Sequence, residues 1–231
     1  MLPDYQEFER RAEAVRQRIR TACERAGRDP GSVELLAVTK FFPPEAVAYA
    51  ARFGLRAVGE NRVQEAAEKR PLSPPGIAWE LIGHLQSNKA RLAASLFDRI
   101  QSADSEKLLT LLDRAAGELG RKLPVLLQVN SGRDPAKSGV EPDGAEALLA
   151  HALSLGSIRV DGLMAIAPLS DDPEVARRTF ASLREIRDRL ASGTGTALSV
   201  LSMGMSGDLE AAVAEGSTVV RVGSALFGSR S

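Results

Sequence analysis

Eight short apolar runs recur along this chain with a helix-forming stretch between successive runs, and that alternation constrains the fold more than any other feature. The runs are Glu34 to Thr39, Leu55 to Gly59, Ala78 to Gly83, Phe97 to Ser102, Pro124 to Asn130, Ile158 to Ile166, Ala197 to Leu201 and Thr218 to Val222. Strands that read as nearly continuous apolar runs are buried on both faces, the condition of a parallel sheet covered by helices. The segments between them are Pro44 to Phe53, Asn61 to Arg70, Ser87 to Leu96, Ser105 to Leu119, Asp143 to Leu155, Pro173 to Leu190 and Gly207 to Ala214, two of them opened by a proline. Eight such strands in 231 residues predict an α/β fold, a single-domain (β/α)8 TIM barrel of near-minimal size. Few residues follow the eighth run, so no eighth helix is expected there.

The N-terminal segment supplies a substitute. Tyr5, Phe8, Ala12, Val15, Ile19 and Ala22 alternate spacings of three and four, which predicts an amphipathic helix over residues 4–26, capped by Asp4 and stopped by Gly27 and Pro30. In a cyclic barrel that helix can cover the gap between the last strand and the first. A doubly wound open sheet uses the same alternation, but the first run ends in Thr39-Lys-Phe-Phe-Pro-Pro44, without the glycine-rich turn of its dinucleotide-binding version. Leu72 to Gly76 is a surface loop.

Composition removes several classes of function. No run approaches the ~18 uninterrupted apolar residues of a membrane span, and the first residues are rich in Arg and Glu rather than in a signal-peptide core. A cytoplasmic chain with no membrane association is expected. A single cysteine, Cys23, and two histidines argue against a disulfide or a Cys/His metal site. Thirty basic residues against thirty acidic ones lack the one-sided charge of a nucleic-acid binder.

In a barrel of this kind the C-terminal strand ends share one face, where function is assembled. The residues at those ends are Lys40, Glu60 and Asn61, His84, Ser102 and Asp104, Asn130, Ala167, Ser202 to Ser206, and Arg221 to Ser224. Lys40 is the most chemical of them, since desolvation at the end of an apolar strand frees a neutral amine able to attack a carbonyl. A lysine that snorkels to water fits the same position. Two glycine and hydroxyl turns, Ser202-Met203-Gly-Met-Ser206-Gly207 and Gly223-Ser224, lie after the seventh and eighth strands, where barrels often bind phosphate. Capping of the next helix by Ser206 or Asp208 is the plain alternative. Arg221 needs an acceptor inside the barrel, either a carboxylate such as Glu60 or a ligand ring nitrogen. His84 has no carboxylate beside it in sequence, His151 lies on a helix with no assigned role, and Lys137 sits in a turn-rich loop as a solvated charge or a ligand contact.

A strand-end lysine, a phosphate cup and an arginine in the last strand suggest one ligand with an aldehyde and a phosphate, and the chain resembles the pyridoxal phosphate homeostasis (YggS/PROSC) family. The resemblance is carried by Leu36-Ala-Val-Thr-Lys40, Gly59-Glu-Asn-Arg-Val-Gln-Glu65, Ile82-Gly-His-Leu-Gln-Ser-Asn-Lys89, Lys137-Ser-Gly139, Gly162-Leu-Met-Ala165, Leu201-Ser-Met-Gly-Met-Ser206 and Val220-Arg-Val-Gly-Ser-Ala-Leu-Phe-Gly228. It implies the fold-type III barrel of alanine racemases. It also implies a cofactor, pyridoxal 5′-phosphate, bound by Lys40, Asn61, His84, Ser202, Met203, Ser206, Arg221, Gly223 and Ser224. Lys40 would form an imine with the aldehyde, Ser206 with Gly223 and Ser224 would hold the phosphate, and Arg221 would face the pyridine nitrogen. Phe41, Phe42 and Glu80 depart from the family pattern and are expected at the mouth of the site.

The implied function is a carrier that holds the cofactor, maintains its homeostasis and passes it to apo-enzymes, as a monomer. A guanidinium at the ring nitrogen only donates, which weakens the ring as an electron sink. The racemases add a second domain with a tyrosine base, and the tyrosines here, Tyr5 and Tyr49, fall on expected helices away from the strand-end face. A low-activity amino-acid racemase or decarboxylase remains the alternative, with a lysine aldolase on the same barrel behind it.

Overall fold

The computed structural model describes residues 2–228. Helix α1 spans Tyr5–Arg25, and Asp4 caps it by accepting the Glu7 N–H at 2.8 Å. A cap of this kind contributes about 1 kcal/mol. Its apolar stripe, Phe8, Ala12, Val15, Ile19, Ala22 and Cys23, is buried, so the expected amphipathic helix is present and Cys23 is a core residue.

Strand and helix then alternate through β1 (Glu34–Val38), α2 (Pro44–Arg52), β2 (Ala57–Glu60), α3 (Val63–Lys69), β3 (Ala78–Leu81), α4 (Ala90–Leu96), β4 (Arg99–Ala103) and α5 (Glu106–Glu118). The second half runs through β5 (Leu123–Gln128), α6 (Ala145–Leu153), β6 (Ile158–Met164), α7 (Pro173–Thr194), β7 (Val200–Ser202), α8 (Leu209–Ala214), β8 (Val219–Val222) and α9 (Ser224–Phe227). All neighbouring strands pair in parallel, and β8 closes onto β1 with Leu36 opposite Arg221, giving the predicted barrel. The strand ends differ from the expected runs by one or two residues in both directions: β1, β3, β5 and β6 stop short of them, whereas β2, β4 and β7 run one residue further. Strand β5 stops at Gln128, so Asn130 lies in the loop, where its Nδ2 donates to Asp134 O at 3.0 Å and Glu141 Oε1 at 2.9 Å.

One expectation fails at the seam. A four-residue helix, α9, follows β8 where none was expected. It buries Leu226 and Phe227, and the Phe227 ring stacks on Phe8 of α1 with centroids 5.2 Å apart. The N-terminal helix still covers the gap, packing on α8 and α9 together. Arg18 of α1 reaches past the seam to donate to Ser206 O at 3.0 Å and to Glu210 Oε1 at 2.7 Å. The loop after α1 is tied down by Arg28, which donates to Val213 O at 2.6 Å and Ser217 O at 2.7 Å.

Candidate functional site

A cavity of about 540 Å3 opens at the C-terminal strand ends. Lys40 after β1, Asn61 after β2, His84 after β3, Ser206 after β7, and Arg221, Gly223 and Ser224 from β8 and its turn all line it. Seven predicted site residues therefore meet in one space. Ser202 and Met203 do not reach it: Ser202 stands behind Arg221 and Met203 is part of the hydrophobic core. Lys137 does line the cavity, and Gln128, which the sequence did not single out, lines it beside Lys137. Its Nε2 donates to Ser138 O at 2.8 Å and so holds the loop that carries Lys137.

The main chain around Lys40 is fixed by α3. Lys69 Nζ donates to Thr39 O at 2.8 Å, to Glu60 Oε1 at 2.8 Å and to Glu65 Oε1 at 2.6 Å. Thr39 Oγ1 donates to the same Glu60 oxygen at 2.7 Å, and the Phe41 N–H donates to Glu65. Phe41 adopts φ +66°, a left-handed conformation that costs a non-glycine residue free energy and that the Glu65 contact helps hold. Lys40 thus sits between two anchored peptide groups. Burial pushes the Glu60 carboxyl above the usual carboxylate range against the opposing pull of Lys69 and Thr39, and its Oε2 has no hydrogen-bond partner among the described residues.

Glu60 is accordingly not the acceptor for Arg221, one of the two partners the sequence allowed. Arg221 is buried and donates from Nη1 to Ser202 Oγ at 2.7 Å and from Nη2 to Ala165 O at 2.8 Å. Burial lowers its pKa to about 10, which leaves it cationic at neutral pH. Among the described residues no carboxylate touches it directly. Ser202 Oγ instead donates to Gln101 Oε1 at 2.6 Å, and Gln101 Nε2 donates to Glu80 Oε2 at 2.5 Å. Arg99 closes the chain on Glu80 at 2.6 and 3.0 Å. Glu80, expected at the mouth, is therefore inside the barrel and absent from the cavity lining, because its side chain points from β3 toward β4 rather than past the strand end.

At the other end of the cavity the hydroxyls of Ser206 and Ser224 lie 3.2 Å apart, and the Ala225 N–H points at Ser206 Oγ from 3.4 Å. Neither Ser206 nor Asp208 caps α8 with its side chain; Asp208 Oδ1 accepts the Met205 N–H at 2.5 Å and shapes the turn. Helix α8, expected from Gly207, begins at Leu209, after the turn. Gly204 is required here: its φ is +93° and a Cβ would lie 2.4 Å from the Ala212 Cβ. Gly83 serves the opposite wall, where a Cβ would lie 2.3 Å from Asn61 O.

His84 acquires a carboxylate neighbour through folding, its Nδ1 standing 3.4 Å from Asp104 Oδ2. Phe42 also lines the cavity and packs on Phe227, with ring centroids 5.0 Å apart. Phe41 turns outward and is 51% exposed. His151 contacts Thr110 at 3.0 Å, away from the cavity. Tyr5 and Tyr49 pack on each other between α1 and α2, with centroids 5.4 Å apart, and neither lines the cavity. Among the described residues no cluster of three or more His, Cys, Asp or Glu is placed to hold a metal, and no helix is long and apolar enough to cross a membrane.

The residues fit a ligand with an aldehyde at one end, a phosphate at the other and a ring acceptor between them. Lys40 offers an amine, the Ser206 and Ser224 turns offer hydroxyls and backbone N–H groups, and Arg221 offers donors only. The alanine racemase N-terminal domain family matches residues 11–231. A pyridoxal phosphate homeostasis protein of Aquifex aeolicus is 41% identical over 221 residues, covering 95% of this chain and 97% of its own length. PipY of Synechococcus elongatus, solved with pyridoxal phosphate bound, is 41% identical at a TM-score of 0.85, covering 96% of this chain and 100% of that one. An alanine racemase of Clostridium difficile, 16% identical at a TM-score of 0.73, covers 86% of this chain and 53% of that one, a likeness of the barrel alone. The chain belongs to the pyridoxal phosphate homeostasis protein family, built on the barrel of the alanine racemase N-terminal domain.

Proposed function

We propose that this chain binds pyridoxal 5′-phosphate in the strand-end cavity, keeps it away from stray amines and passes it to apo-enzymes, as a cytoplasmic monomer. The observation that carries the reading is the pairing of Lys40 and Arg221 with the Ser206, Gly223 and Ser224 turns around one cavity. When bound, the cofactor supplies an aldehyde carbon that condenses with the Lys40 amine with loss of water. Everything else falls to the chain. Lys69 and Glu65 hold the backbone that presents Lys40, Ser206 and Ser224 receive the phosphate, and Arg221 donates to the ring nitrogen. Asn61 and His84 form the wall over Gly83. Because a guanidinium disfavours protonation of the ring nitrogen, holding the cofactor is better served than withdrawing electrons from a bound amino acid.

Titration with pyridoxal phosphate should produce the absorption band of the lysine-bound cofactor, and borohydride reduction followed by peptide mapping should place the label on Lys40. Lys40→Ala should abolish the band. A label on another lysine, or none, rejects the assignment. His84, beside Asp104 on the cavity wall, is the observation that keeps a racemase or decarboxylase reading in play. Exchange of the α-proton of amino acids with deuterated solvent, lost in Lys40→Ala, would favour that enzyme over the carrier.

A further inference from the structure

The interior of the barrel holds a polar chain of which the cofactor reading uses only the last member, Arg221. It runs from Arg99 and Glu80 through Gln101 and Ser202 to Arg221, with every link between 2.5 and 3.0 Å. Glu80, Gln101 and Ser202 are all buried, on β3, β4 and β7, and the Gln101 to Ser202 link crosses the barrel between strands 101 residues apart in sequence.

The chain has a direction. A guanidinium donates only and a carboxylate accepts only, whereas a hydroxyl and an amide do both. With Glu80 at one end, the Gln101 amide must turn its NH2 to the carboxylate and its oxygen to Ser202. Ser202 then gives its one hydrogen to Gln101 and keeps a lone pair for Arg221. We infer that Glu80, acting through Gln101 and Ser202, is a positioning residue that aims the Arg221 guanidinium into the cofactor cavity. This inference rests on the cofactor reading of the cavity.

Replacing the carboxylate by an amide reverses the direction. Glu80 accepts from Arg99 on both oxygens and from Gln101 on Oε2, so in Glu80→Gln an amide NH2 meets a donor whichever way it turns; with its oxygen toward Arg99 Nη2, its NH2 faces Gln101. Gln101 must then present its oxygen to residue 80 and its NH2 to Ser202, whose hydroxyl hydrogen loses the acceptor it had on Gln101. The stranded hydrogen lies beside the guanidinium, and the hydroxyl no longer holds Arg221 in a single orientation. Removing the hydroxyl altogether cuts the chain, so Glu80 has nothing left to act through.

The test is a double-mutant cycle on pyridoxal phosphate binding with wild type, Glu80→Gln, Ser202→Ala and the double variant, reading the affinity and the wavelength of the lysine-bound band. Thermal unfolding of each apo-protein serves as the control for folding. Each single variant should weaken binding about tenfold, the loss of one charged hydrogen bond, and shift the band. The double variant should be no weaker than Ser202→Ala alone. Unchanged affinity and band position in Glu80→Gln, or losses that multiply in the double variant, would overturn the inference. Should apo Glu80→Gln not fold, Gln101→Met interrupts the same chain and is held to the same two outcomes. No band in wild type would fail the cofactor reading itself, a result separate from any difference among the variants.

Discussion

Two buried polar networks flank the cavity, and they hold their functional residues in different ways. Around Lys40 the network grips main chain: Lys69 holds the Thr39 carbonyl and Glu65 holds the Phe41 N–H. Around Arg221 it grips side chain, with Ser202 and the Ala165 carbonyl on the two terminal nitrogens. The contrast matches two tasks. A nucleophile needs a fixed base and a side chain that can approach and release a carbonyl, whereas a donor aimed at one ring atom needs its own atoms fixed. The charge arrangement differs as well. The lysine network places one cation among two carboxylates, and the arginine network places two cations on one carboxylate, with the second reached only through neutral groups.

Removing the central cation of the lysine network should cost the most. Lys69→Met leaves Glu60 and Glu65 without a counter-charge in a site where Lys69 and Glu60 are 8% and 0% exposed. Breaking a buried pair from one side costs about 3–5 kcal/mol. Denaturant unfolding of the apo-protein should show that loss, together with slower capture of pyridoxal phosphate as the 39–41 main chain loosens. A cost under about 1 kcal/mol would mean that the network does not anchor Lys40.

Ser202→Ala is the matching cut at the other end. It removes one of the two groups that Arg221 donates to and leaves Gln101 Oε1 without its donor. An unsatisfied buried partner of a charged group costs about 1–3 kcal/mol, which chemical unfolding at neutral pH measures directly. An apo stability equal to wild type would show that water replaces the hydroxyl, and the side-chain grip would then be weaker than the main-chain one by more than the geometry implies.

The two networks also separate what the sequence discloses from what it conceals. The barrel was legible because each strand announces itself by its own residues, and the strand ends then put Lys40, Asn61, His84 and Arg221 on one face without knowledge of any contact. The partners of those residues were not legible in the same way. The sequence allows Glu60 or a ligand ring nitrogen as the acceptor for Arg221, yet Glu60 pairs with Lys69 nine positions on, because α3 folds back over β2. Helix α9 was missed because its four residues carry no periodic signal, and Phe227 is fixed by Phe8 at the far end of the chain. Glu80 drew notice as a departure from a pattern and was placed at the wrong depth. A signal was present: Arg99 and Gln101 alternate with Ile100 on a buried strand, which sends both polar side chains to one face. Polar residues at period two on a strand that must be buried predict an interior network, although not its partners.

The lysine network also carries a pH dependence. Glu60 is held above the ordinary glutamate value of about 4.3, chiefly by burial. The folded state therefore keeps a proton that the unfolded chain releases, and stability falls as pH rises from that ordinary value toward the raised one. Glu60→Gln cannot lose such a proton, so the stability of the variant relative to wild type should climb across that window and level off above it. Urea unfolding at intervals of pH reads the difference. A flat difference would mean that Lys69 fully compensates the carboxylate and that the main-chain grip carries no electrostatic cost.

The smallest effect belongs to the pair outside both networks. His84 is 57% exposed and stands 3.4 Å from Asp104, so solvent screens the contact and neither network passes through it. Asp104→Asn should change stability by less than about 1 kcal/mol. Binding of pyridoxal phosphate should be nearly unchanged if His84 only forms the wall, because the cavity shape set by Gly83 and Asn61 survives the substitution. A loss of binding as large as that of Ser202→Ala would instead make the His84 and Asp104 pair a third anchor. The division between a held main chain at Lys40 and a held side chain at Arg221 would then no longer account for the site.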